Sequence, residues 1–265
     1  MKKDCCKLLR AKGLFKRGIM QSGTAAAYLR TAEKSMERTE QIMEISGAKD
    51  FDDLISLTIS DIRKTETILI IENDVDYPYP QRDGIVIPMD IEKALNSDTR
   101  NGFDVMVGTT KDEYAYRTLL FGKDYNLQIM QGLIGQALSK MDDGQNAYVY
   151  YFTEEANDPD LKSYHGYDLG FVLGNVDEAS AKDIPAAYRL SEIMQQMWVN
   201  FAKTGDPSLN DGDVDGVGAI RWNKYEANNY PVMVFDAQDT RQEGDPVKEG
   251  SDVLMDLFRL KIKDE

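Results

Sequence analysis

Short apolar runs alternate with longer stretches of helical periodicity along this chain. Gly18-Ile19-Met20-Gln21-Ser22-Gly23, Val105-Met106-Val107-Gly108 and Tyr148-Val149-Tyr150-Tyr151-Phe152 are each brief and end at or near turn residues, the form of a buried strand. The third has the aromatic and β-branched content that suits a pleated sheet, and Val232-Met233-Val234-Phe235 adds a late, short fourth. Ala25, Ala26, Ala27 and Leu29 begin a helix after Gly23, and a stripe of Ala32, Met36, Ile42, Met43 and Ile45 continues over 31–46 until Gly47 stops it. Residues 51–71 read as mostly helical. Tyr77-Pro78-Tyr79-Pro80 breaks regular structure, because proline lacks a donor and restricts the residue before it. Asp83-Gly84 marks a turn.

The clearest helix covers about 185–203. Ala186, Leu190, Ile193, Met194, Met197, Trp198 and Phe201 recur at spacings of three and four and make one wide apolar face. Asp183 is placed to cap it, Pro185 fits its first turn, and Gly205 with Pro207 ends it. Residues 236–252 are charged and poor in apolar side chains, the composition of a loop, and a terminal helix through Val253, Leu254, Leu257, Phe258 and Leu260 starts at Ser251. No internal repeat occurs. The alternation predicts an α/β architecture with a mainly parallel sheet of few strands flanked by helices, all of 1–265 being read as part of one domain.

Composition narrows the function. The chain has 265 residues, 42% hydrophobic and 29% charged, in the ordinary globular range. A net charge of −15 excludes a nucleic-acid partner, which needs a basic face, and disfavours anionic membranes. No apolar run is long enough to span a bilayer. Residues 1–12 are basic without the apolar core of a signal peptide, so the chain as written is expected in the cytoplasm. Cys5 and Cys6 are adjacent and cannot staple distant segments.

The chemistry gathers around the single histidine. His165 stands in Ser163-Tyr164-His165-Gly166-Tyr167-Asp168, shortly after the third strand, and Gly108-Thr109-Thr110-Lys111-Asp112-Glu113 directly follows the second. Parallel strands bring successive C-terminal loops side by side, so an acid after one and a histidine after the next can meet. That is the placement of acid and base in an α/β-hydrolase triad, where the chain order is nucleophile, acid, histidine. The carboxylate fixes the imidazole tautomer, and the free ring nitrogen takes the nucleophile's proton. Taken singly, each residue has a plainer reading, a satisfied histidine or a solvated loop carboxylate.

Beyond these two residues, blocks spread over nearly the whole chain resemble the C-terminal half of the type-B carboxylesterases, the cholinesterase-like branch of the α/β-hydrolases. They are Gly13-Leu14-Phe15-Lys16-Arg17-Gly18 through Thr24, Asp83 to Pro88, Gly108 to Glu113, Tyr148 to Phe152, His165 to Asp168, Trp198 to Pro207, Trp222 to Tyr225 and Val232 to Phe235. The resemblance implies hydrolysis of a small-molecule carboxylic ester through a serine acyl-enzyme, with no metal or organic cofactor. It makes Glu113 the triad acid and His165 the base. It also places Ser22 and Asp168 beside that pair as hydrogen-bonding support, although Ser22, outside any nucleophile elbow, reads more readily as a strand-end serine serving the backbone, and Asp168 equally as an exposed loop acid.

The departures are as informative. No serine stands in a G-x-S-x-G elbow, and no glycine-rich oxyanion turn follows a histidine. Little ester hydrolysis is expected of the 265 residues alone, since triad members act as a unit. In the family a further strand pairs with the one around Ile19; without it that sheet edge is open to self-association or to another chain. A non-catalytic interaction module, one half of a split esterase and an incomplete coding sequence remain alternatives. Asp211, Asp213 and Asp215, with Gly216, match the first half of a calcium loop, but Trp222 occupies the place of its final glutamate, which favours a plain acidic loop.

Overall fold

The structure is a computed structural model and describes residues 14–23, 29–69, 80–90, 103–113, 115, 145–226 and 231–244. The chain divides into two compact units, one of Met1–Arg10 with Ala25–Thr99 and the other of Ala11–Thr24 with Arg100–Glu265. The helix expected from Ala25, the Tyr77–Tyr79 break, Cys5, Cys6 and the terminal helix after Ser251 lie outside the described residues.

Among the described residues the first unit holds three helices: α1 (Ala32–Ser46), α2 (Phe51–Ser56) and α3 (Ile59–Thr67). Their boundaries follow capping chemistry. Thr31 Oγ1 accepts the Lys34 N–H at the start of α1, and Gly47 closes it at φ 77°, a left-handed conformation that glycine adopts without a Cβ clash. Thr58 and Asp61 form a reciprocal capping box on α3. After Asp83 the backbone wraps its carboxylate, whose Oδ1 accepts from the N–H groups of Ile85, Val86 and Ile87 at 2.8, 2.8 and 2.9 Å.

The second unit is a five-stranded sheet: β1 (Arg17–Gln21), β2 (Asp104–Thr110), β3 (Ala147–Phe152), β4 (Pro231–Phe235) and β5 (Arg241–Gly244), in that spatial order. The first four are mutually parallel; β5 runs antiparallel to β4. The α/β architecture with a mainly parallel sheet read from the sequence is therefore present, with one correction. Residues 241–244 were expected to be loop and form a strand instead. Their sequence, Arg-Gln-Glu-Gly, is what an edge strand with a single neighbour tolerates, since charge there discourages further pairing.

Between β3 and β4 the chain forms α4 (Tyr167–Val172) and α5 (Ile184–Thr204). Asp183 Oδ1 accepts the Ala186 N–H at 3.1 Å, and Gly205 ends α5 at φ 85°. The apolar face of α5 is buried through Leu190, Met194, Met197, Trp198 and Phe201, in one core with Tyr148, Tyr150 and Phe152 of β3 and Met233 and Phe235 of β4. The sheet residues alternate, as a strand's period of two requires. Tyr150 packs edge-on to Trp198 with ring centroids 5.1 Å apart, and Trp222 lies against both Trp198 and Phe235. Arg17 Nη1 donates to the carbonyls of Ala202 and Lys203 at 3.0 and 3.3 Å, tying β1 to the end of α5 where carbonyls lack helical partners.

Parallel register puts the ends of β1, β2 and β3 on one side of the sheet, and a short ladder then joins the loops. The Lys111 N–H donates to the Phe152 carbonyl at 2.8 Å and the Asp112 N–H to the Ser163 carbonyl at 3.0 Å. Fully buried Ser163 returns its N–H to Asp112 Oδ2 at 3.3 Å and its hydroxyl to the Phe152 carbonyl at 2.9 Å. This pinning delivers His165 to Glu113 across 52 positions of sequence. Among the described residues no helix is long and apolar enough to cross a membrane.

Candidate active site

Glu113 is entirely buried, yet each of its oxygens is engaged. Oε1 is hydrogen-bonded directly to His165 Nδ1. Oε2 accepts from Thr109 Oγ1 at 2.5 Å, Thr110 Oγ1 at 2.7 Å, the Thr110 N–H at 3.0 Å and Ser22 Oγ at 2.9 Å. Burial alone drives a carboxyl toward its neutral form. Here the hydrogen bonds from His165 and the threonines outweigh that burial, and the Glu113 carboxyl is held below its ordinary range.

Ser22 reaches this position through its backbone. Immediately after β1 its N–H donates to the Gly108 carbonyl at 2.8 Å, and its φ of 53° turns the hydroxyl toward Glu113. A left-handed serine is strained by about 1 kcal/mol or more, which the charged acceptor offsets. Its side chain therefore serves the acid rather than the neighbouring backbone.

His165 differs in exposure. Its side chain is 54% exposed, and among the described residues no hydrogen bond reaches Nε2. With Nδ1 turned to a carboxylate, the proton belongs on Nδ1 in the neutral ring, and Nε2 carries the lone pair that can accept another. The Glu113 hydrogen bond raises the His165 pKa above its ordinary value, against the opposing effect of partial burial, and the charges of Glu113 and Asp168 add to the rise.

These opposite shifts fix a pH dependence of folding. The His165 contribution is complete below its unfolded value near 6.5 and is lost as pH rises through the raised folded value. The Glu113 contribution is present above its unfolded value near 4.5 and is lost as pH falls through the lowered one. The pair thus stabilises fully between those two values. Urea midpoints from pH 5 to 9 are expected to fall on the alkaline side more for the natural chain than for His165→Gln; parallel curves would contradict the coupling.

Asp168, in the first turn of α4, is buried at 1% exposure. Its Oδ2 accepts from Tyr150 Oη at 2.8 Å and Gln21 Nε2 at 3.1 Å. The alternative of an exposed loop acid is overturned by this burial. Thr109 and Thr110 bind Glu113, Ser163 pins the loop that carries His165, Gln21 and Tyr150 hold Asp168, and none of the five was singled out from sequence. Two threonines just ahead of the acid were the signal within reach.

The aspartates of 211–215 are occupied differently. Asp213 Oδ2 accepts from the Asn210 N–H at 2.8 Å and Asn200 Nδ2 at 3.1 Å, and Asp211 Oδ1 accepts from the Ala219 N–H at 2.9 Å. The Asp215 backbone carbonyl receives Arg189 Nη1. These contacts organise the loop around its own backbone, and among the described residues no three His, Cys, Asp or Glu side chains gather closely enough to hold a metal.

Comparison with known proteins agrees with this geometry. Residues 123–251 match the profile of the Carboxylesterase family. The chain is 26% identical over 287 residues to the para-nitrobenzyl esterase of Bacillus subtilis (strain 168), covering 90% of this chain and 56% of that enzyme. It is 32% identical over 80 residues to acetylcholinesterase 1 of Caenorhabditis elegans, 28% of this chain and 13% of the other. In fold it superposes on the Geobacillus stearothermophilus carboxylesterase EST55 with a TM-score of 0.70 and 25% identity, over 93% of this chain and 60% of that one. The chain thus spans little more than half the length of the relatives it matches most broadly. The carboxylesterase resemblance read from the sequence, and its limitation to a C-terminal portion, are both borne out.

Proposed function

We infer that this chain, a relative of the carboxylesterases in sequence and fold, supplies the acid and base of a carboxylic-ester hydrolase, Glu113 and His165, to a serine that these 265 residues do not contain in an elbow. The observation that carries the reading is the buried Glu113 bound to His165 Nδ1 while, among the described residues, no hydrogen bond takes up Nε2. In the assembled site Nε2 takes the proton of the serine hydroxyl as its oxygen attacks the ester carbonyl. Glu113 stabilises the imidazolium, which then protonates the departing alkoxide. Water, activated by the same nitrogen, releases the acid from the acyl-enzyme. The donors that stabilise the tetrahedral oxyanion, each worth about 3 kcal/mol, come with the nucleophile.

The outer edge of the sheet supports this reading. Among the described residues β1 pairs only with β2, so its other edge can seat a parallel strand leading into the elbow. The test is reconstitution: the chain is co-expressed with a segment carrying a G-x-S-x-G strand-to-helix turn and a glycine-rich turn. Hydrolysis of 4-nitrophenyl acetate by the co-purified pair, and by neither part alone, is the expected outcome. Serine-dependent turnover by the isolated chain, or a stable pair with no turnover, would overturn the reading.

A further inference from the structure

Gln21, Gly108 and Tyr150 are register partners on β1, β2 and β3, so their Cβ directions share one face of the sheet. The middle position has no side chain. A Cβ there would stand 2.1 Å from the Tyr150 ring, so the ring lies over the Gly108 backbone. Tyr150 thereby crosses β2, and its hydroxyl meets the Gln21 amide at a common acceptor, Asp168 Oδ2. Tyr150 and Asp168 are at most 1% exposed, and Asp168 lies three residues beyond His165 with Gly166 turning between them at φ 82°.

We propose that Gln21 and Tyr150 are positioning residues that hold Asp168 as a second buried anion, which orients the His165 turn and sets how firmly His165 holds a proton. A pinning role alone would be served as well by an uncharged side chain, at lower desolvation cost. Burial pushes the Asp168 carboxyl up, while Tyr150 and Gln21 oppose it; Glu113 and His165 are the charged groups that face it. His165 in turn faces Glu113 and Asp168. Two carboxylates thus act on one imidazole, the first by contact and the second through space.

The proposal rests on His165 acting as the base, and the test separates the two. With one histidine in the chain, the imidazole titration is read by NMR without assignment ambiguity. Asp168→Asn is expected to lower its midpoint by on the order of one pH unit. Tyr150→Phe is expected to shift it the same way by less, since Asp168 then protonates more readily, and to add nothing in the Asp168→Asn background. A folded Asp168→Asn chain with an unchanged midpoint would overturn the proposal, as would an equal Tyr150→Phe effect in both backgrounds. Should Asp168→Asn not fold, Tyr150→Phe, which keeps the ring, decides alone: an unchanged midpoint counts against the proposal. A midpoint that Glu113→Gln leaves unchanged would instead remove the base assignment itself.

Discussion

Alanine at position 108 is expected to destabilise the sheet-bearing unit by about 3 kcal/mol, near the upper end for overpacking a core. The added methyl would lie 2.1 to 2.2 Å from three atoms of the Tyr150 ring. That ring cannot move aside cheaply. It is fully buried, packs against Trp198 and Phe235 at 5.1 and 5.9 Å, and its hydroxyl is bound to Asp168. Relief by shifting β2 would disturb pairing with β1 and β3 and carry Thr109, Thr110 and Glu113 with it. A loss of this size corresponds to roughly 10 °C in the thermal midpoint of a unit this large. Gly18→Ala is a useful comparison, because among the described residues its Cβ would meet only the Phe103 ring, at 3.3 Å. Calorimetry showing the two variants equally stable would contradict the packing described for Tyr150.

The second large effect concerns chemistry. In the reconstituted esterase, His165→Ala should lower kcat by about 10⁴-fold or more with little change in KM, because Nε2 is needed only as the proton moves. Glu113→Gln should approach the same loss. The amide cannot stabilise the imidazolium charge, and its NH2 group conflicts with the donors that converge on Oε2. The double variant should be scarcely worse than either single one, since the residues work as a unit. A deficit under 100-fold for His165→Ala in steady-state assays would assign the proton transfer to another group.

Much of this was legible in the sequence where local chemistry decides the outcome. Asp183, Pro185 and Gly205 delimit α5 because capping is a short-range matter. Buried parallel strands read as apolar runs, so β1 to β4 stood out. β5 did not, since an edge strand needs no apolar face and its four polar residues are ordered by β4. At the site, order along the chain pointed to Glu113 and His165. Ser22 and Asp168 were within reach through the resemblance, but Gln21 and Tyr150 were not, because they come together at Asp168 only through the register of β1, β2 and β3, which residue spacing does not encode. Tyr150 in particular looks like core aromatic in sequence, and its ring is core; only its hydroxyl turns to Asp168. Ser163 is likewise a plain loop serine until the β2 and β3 loops are paired.

The hydrogen bond from His165 Nδ1 to Glu113 is the feature on which the functional reading depends, and the lone imidazole can be followed directly in the unassisted chain. The ¹⁵N and ring-proton signals of His165 should titrate with a midpoint above the ordinary 6.5, with Nδ1 protonated in the neutral form, and the midpoint should drop in Glu113→Gln. A midpoint at or below 6.5 that ignores the substitution, or a neutral ring protonated on Nε2, would contradict it.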